Sequence, residues 1–114
     1  MNIGEVTKAY VPMTETAFYI LLSLSEPRHG YGVIKFVEEL TEGRIKLGSG
    51  TVYGTLSKMQ KDNIITVYAD GQRKTIYEIT PIGKELIHME IARIGKLYAN
   101  AKTQEVYFHD ETGI

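Results

Sequence analysis

The chain has no cysteine. A disulfide framework and a thiolate metal site are therefore both excluded, and a reducing compartment suits the sequence. It has no long apolar run either. The longest nearly apolar stretch, AFYILLSL at residues 17–24, falls far short of the roughly 20 residues that span a bilayer. The N-terminal MNIGEVTKAY lacks the charged-then-apolar order of an export signal, so a cytoplasmic location and no membrane partner are expected. Histidine is sparse: His29, His88 and His109 are scattered, with no second ligand at a metal-binding spacing. A nucleophile with its base and a paired-acid constellation are both missing. Gly48-Ser49-Gly50 lacks the lysine-serine end of a nucleotide loop. These absences point away from an enzyme, a metal site and a cofactor.

What is present fits one small globular domain. The 114 residues are 43% apolar and 24% charged, ordinary values for a soluble fold. Net charge is only −1, but it is unevenly spread. Residues 1–43 carry 3 basic and 6 acidic side chains, residues 44–84 carry 7 and 3, and residues 85–114 carry 3 and 5. The middle third is thus a basic footprint of the kind that meets a polyanion.

Apolar spacing then divides the chain. Ala17, Ile20, Leu21 and Leu24 fall at i, i+3, i+4 and i+7, which predicts an amphipathic helix capped by Thr14 and stopped at Ser25-Glu26-Pro27. After a His29-Gly30-Tyr31-Gly32 turn, Ile34, Val37 and Leu40 predict a second helix, with Gly43 as its C′ residue. Val52, Leu56 and Met59 predict the buried stripe of a third, for which Ser49 is the best N-cap and Asp62-Asn63 the end.

Two alternating β-branched and aromatic segments follow, IITVYA (64–69) and TIYEIT (75–80). Asp70-Gly71 signals a hairpin between them, with Arg73 and Lys74 at or just past its tip. Thr80-Pro81 reads as an N-cap followed by proline at N1. The last helix should run from about Pro81 to Lys102, with Ile87, Ile91, Ile94, Tyr98 and Ala101 repeating at 4, 3, 4, 3. Leu86 and Leu97 widen that heptad seam. At about 1.5 Å per residue it reaches about 30 Å, more than so small a core needs, so a second chain is expected along it.

Helix, helix, helix, hairpin and long helix is the layout of a winged helix-turn-helix, mostly α with a two-stranded wing. In that layout the third helix enters the major groove and the wing touches the neighbouring backbone. Free N–H groups at the start of that helix suit phosphate, and Gly48 and Gly50 keep side chains out of the way. Thr51 and Tyr53 can donate to phosphates or base edges, and Lys58, two turns on, can reach the flanking strand.

Three pieces of sequence, in order, resemble the PadR-type transcriptional regulators. They are HGYG at 29–32 with its Ile-Lys-x-x-Glu-Glu-Leu helix, GTVYGTLSKMQKDNII, and RKTIYEITPIGKELI. The likeness covers about residues 14–100 and is to the family's short branch with a single C-terminal helix. It implies an N-terminal extension (1–13), a DNA-binding domain (14–80), a dimerisation helix (81–102) and a tail (103–114).

By position, the resemblance places DNA contacts at Ser49, Thr51, Tyr53 and Lys58, with Tyr31, Arg73 and Lys74 adding backbone contacts. It implies a homodimeric repressor held through the last helix, here along Ile87, Ile91, Ile94 and Tyr98, acting on an inverted-repeat operator in double-stranded DNA. It also implies relief by a small-molecule inducer, and Phe18, Tyr19, Leu22, Ile94 and Tyr98 could line a pocket or simply fill the dimer interface. One departure stands out: Gly54 occupies a position where the family commonly has proline. The alternative is a winged-helix module that contacts only proteins, for which Arg73-Lys74 beside a Gly-Ser-Gly-Thr helix start would have no use.

Overall fold

In the computed structural model, which describes residues 1–71 and 73–109, the elements run as follows. Helices are α1 (Ile3–Tyr10), α2 (Glu15–Leu22), α3 (Gly30–Leu40), α4 (Ser49–Lys61) and α5 (Pro81–Glu105). Strands are β1 (Arg28–His29), β2 (Ile65–Gly71) and β3 (Lys74–Ile79). Short 3₁₀ turns at Ser23–Ser25 and Val106–Phe108 follow α2 and α5. The expected winged helix-turn-helix is therefore present, made of α2, α3, α4 and the β2–β3 wing.

Its core is one cluster. Ile20, Leu21 and Leu24 from the α2 segment meet Val33 and Val37 of α3 and Val52, Leu56 and Met59 of α4. Ile64, Ile65, Tyr77, Leu86 and Ile87 close it from the wing and α5. The predicted α4 stripe is completely buried.

Local chemistry explains most boundaries. Thr14 accepts the Ala17 N–H at 3.1 Å and starts α2. Thr80 accepts the Gly83 N–H at 3.1 Å and starts α5 at Pro81. The Thr80 hydroxyl also lies 2.8 and 2.9 Å from the carbonyl oxygens of Asn63 and Ile64, tying that start to the end of α4. Gly83 then packs so tightly that an added Cβ would sit 2.2 Å from the Ile64 carbonyl oxygen.

Several local readings of the sequence need correction. Within the N-terminal extension, residues 3–10 form a helix for which no pattern was read. Asn2 and Glu5 form a reciprocal capping box, and Val6 is fully buried where α1 packs on α5. Glycines 30 and 32 lie inside α3, because His29 accepts the Gly32 N–H through Nδ1 at 3.1 Å and caps one residue ahead of Gly30. At its other end, Glu42 (φ 52°) takes the C′ position and Gly43 (φ 81°) the next. Their amides donate to Glu39 and Glu38, a Schellman closure.

The cap of α4 is Gly48, with no side-chain bond, and Ser49 is the first helical residue. At the far end Asn63 (φ 61°) and Ile64 repeat the Schellman pattern. The sheet has a third strand: β1 pairs with β3 (Arg28↔Tyr77, His29↔Ile76), giving the order β1-β3-β2. β2 and β3 are antiparallel, and a bulge between Val67 and Ala69 shifts their register. Asp70 and Gly71 belong to β2, opposite Thr75 and Lys74, so the Asp-Gly pair is strand rather than turn. Gln72 and residues 110–114 of the tail lie outside the described residues.

α5 outruns its expected end and reaches Glu105, about 37 Å at 1.5 Å per residue. Its first half packs on α1 and α2, and the rest projects from a molecule 61 Å long and 33 Å wide.

Candidate nucleic-acid interface

The segment ahead of α4 sets where that helix begins. Ile45 and Leu47 pack inward against the core, while Arg44, Lys46 and Gly48 point out. Arg44 fastens the segment to α2 through Glu15 at 2.7 Å, which also raises the arginine's affinity for its proton. The helix that follows opens without a side-chain cap. The backbone N–H groups of its first turn, which no helix pairs internally, are therefore left without a side-chain cap beside exposed Ser49, Gly50 and Thr51. A Cβ added at Gly48 or Gly50 would meet nothing within 4 Å. That surface offers backbone donors and the positive end of a helix dipole to anything negative that approaches.

Tyr53 and Tyr31 stand on one flank of this opening. Their rings meet edge to face, 6.4 Å apart and 80° inclined. Tyr31 is 67% exposed and Tyr53 40%. The Tyr53 ring lies over Gly30, where a Cβ would fall 2.4 Å from its Cζ. Both tyrosines stand out in the sequence, but Gly30 does not, because its role depends on a long-range contact between α3 and α4. The repeated glycines of HGYG were the only local signal for it.

The other flank carries Lys58, which is not free. Its Nζ lies 3.0 Å from Asp62 Oδ2 and 3.4 Å from the Tyr10 hydroxyl, and 4.7 Å from the Tyr10 ring centroid. Tyr10 Oη donates to the same carboxylate oxygen at 2.7 Å. This hydrogen bond, followed by that from Lys58, holds the Asp62 carboxyl below its ordinary value. Burial first, then Asp62, pushes the Tyr10 phenol well above its usual value. α1 is thereby latched to the C-terminal end of α4. A groove of about 380 Å³ runs beside the latch, lined by Pro12, Met13, Ala17, Gly54, Thr55 and Met59 among others.

Arg73 and Lys74 are exposed at the wing tip, around a shallow depression they share with Ala69, Gly71 and Ile76. The predicted pocket residues separate. Phe18, Tyr19 and Ile94 share a depression of about 300 Å³ with Met13 and Glu15. Leu22 lines another, of about 180 Å³, with Leu24, Ile87 and Ile91. Tyr98 lies further along α5, beside Lys102 and Phe108. Of the expected dimer seam, Ile87 is buried in its own chain's core, while Ile91, Ile94 and Tyr98 are 48%, 37% and 64% exposed.

Among the described residues, no group of three or more His, Asp or Glu side chains could hold a metal ion. No helix there is long and apolar enough to cross a membrane.

This architecture is shared with solved proteins. The chain is similar to a PadR family transcription regulator from hypervirulent Clostridium difficile R20291, with a TM-score of 0.68 and 19% identity over 79% of this chain and 97% of the other. It is similar to a PadR-like transcriptional regulator from Bacillus cereus, with a TM-score of 0.64 and 22% identity over 87% and 94%. Bacillus subtilis PadR, solved in complex with operator DNA, gives a TM-score of 0.61 and 22% identity over 68% of this chain and 48% of that one. In sequence the chain is 29% identical over 97 residues to an uncharacterised 37.1 kDa protein in transposon Tn4556 of Streptomyces fradiae, spanning 28% of that protein's length. Residues 20–89, more than half of the chain, match the transcriptional regulator PadR-like family, and the chain belongs to that family.

Proposed function

We propose that the protein is a homodimeric, sequence-specific repressor that binds an inverted-repeat operator in double-stranded DNA. The observation that carries this reading is the uncapped, side-chain-poor start of α4, flanked by the Tyr31–Tyr53 pair and held in a body that also presents the Arg73-Lys74 wing tip. That combination suits a helix N-terminus set into a major groove, with the wing on the adjacent backbone. The operator complex of Bacillus subtilis PadR, a protein of similar fold, supports it.

In this reading Thr51 and Tyr53 address base edges, Ser49 and Tyr31 address phosphates, and Arg73 and Lys74 grip the flanking backbone. Lys58 stays on Asp62 and the Tyr10 hydroxyl and braces α4 rather than joining them. Ile91, Ile94 and Tyr98 pair two copies along α5, so the half-sites lie about one helical turn apart, roughly 34 Å. A small ligand relieves repression from the aromatic depression at Phe18, Tyr19 and Ile94, beside the dimer seam.

Selection of bound duplexes from random-sequence DNA tests the assignment. Thr51→Ala should relax preference at one position per half-site, worth about 1–3 kcal/mol, while Arg73→Ala and Lys74→Ala should weaken all sequences alike. An unchanged preference in Thr51→Ala removes that residue from base readout. Capture of no duplex by the wild type favours the protein-interaction module.

A further inference from the structure

The backbone of α4 turns its side chains through about 100° per residue, so the line opposite the buried Val52, Leu56 and Met59 is Gly50, Gly54, Ser57 and Lys61. All four are exposed. Three of them are small, which leaves that line in low relief and makes Lys61 its one long side chain. Lys58 lies off this line, on the flank toward α1, where its Nζ is paired with Asp62 and the Tyr10 hydroxyl. Lys61 forms no ion pair among the described residues.

We infer that Lys61, rather than Lys58, is the cation with which the recognition helix grips the operator backbone. This rests on the DNA reading above. The low relief from Gly50 to Ser57 lets α4 seat deeply, which brings the four-carbon stem of Lys61 up to the phosphates where the helix leaves the groove. The Tyr10–Asp62–Lys58 latch instead braces α4 on α1 and contributes no net charge to the contact.

The test uses labelled duplex selected from random-sequence DNA by the wild-type protein, followed by anisotropy across a salt series. Lys61→Ala should weaken binding roughly tenfold near 0.1 M salt and make the slope of log K against log salt shallower by about 0.9, one phosphate's worth. Lys61→Arg should restore both. The double variant Lys58→Met/Asp62→Asn removes the latched pair without changing net charge, and should keep the wild-type slope. An unchanged slope in Lys61→Ala, or a loss of slope in the double variant, would overturn the assignment while leaving the DNA reading intact. A wild type that binds no duplex would overturn both.

Discussion

The ring of Tyr53 occupies the space that a side chain at position 30 would need, 2.4 Å from an added Cβ. One contact thus joins the start of α3 to α4 and fixes where the exposed Tyr31–Tyr53 pair stands. The obstruction is the far end of a side chain with solvent to move into. Gly30→Ala should therefore cost stability only near the low end of the roughly 1–3 kcal/mol typical of overpacking. In free energy, it should weaken operator binding more than it lowers stability. A double-mutant cycle with Tyr53→Ala should recover most of the stability cost.

Gly83 gives the opposite prediction. Its added Cβ would meet a backbone carbonyl at 2.2 Å and Ile79 Cγ1 at 2.6 Å, neither of which can swing away. Gly83→Ala should cost at least the upper part of that 1–3 kcal/mol range. A denaturant titration would show it as a lower midpoint at unchanged slope.

Gly54 separates stability from function. A Cβ there would meet nothing within 4 Å, so nothing inside the protein requires glycine. Gly54→Ala should stabilise the fold by up to about 1 kcal/mol through helix propensity. If DNA seats against this face, the same variant should bind operator more weakly. Raised Tm with undiminished affinity would show that the duplex stays clear of position 54.

The Asp62 latch predicts an acid limb. Its carboxyl is held below the ordinary value of about 3.9, so its share of stability is full above that value and is lost as pH falls through the lower folded-state value. Wild-type stability should therefore fall more steeply below about pH 4 than that of Asp62→Asn. Tyr10→Phe removes the larger of the two hydrogen bonds holding the carboxyl down and should flatten the same limb in part. Melting temperatures between pH 2.5 and 6 are the measurement.

Much of this fold was legible in local sequence. The Val52-Leu56-Met59 stripe and the Thr14 and Thr80 caps depend on spacings of four residues or fewer, and the structure has all of them. The features that were not legible depend on distant partners. β1 is two residues long and exists because Tyr77 and Ile76 lie opposite it. α1 has one fully buried side chain, Val6, and needs α5 and the Tyr10–Asp62 bond, 52 residues apart, to be held in place. Glu90 defeats the apolar pattern outright. It is 1% exposed on α5, with its carboxylate bound by Arg93 at 2.6 and 3.1 Å, so a charged residue occupies a buried position. The candidate contacts were legible by type and helix position; that Lys58 is already paired was not.

The decisive measurement is a titration of the protein into labelled duplexes tiled across the region upstream of its own gene, at several salt concentrations, with the stoichiometry measured on the tightest tile. A dimeric operator-binding protein should hold one tile far more tightly than the rest, with two protomers bound and a steep salt dependence. No binding to any tile at low salt by an intact dimer would contradict that reading.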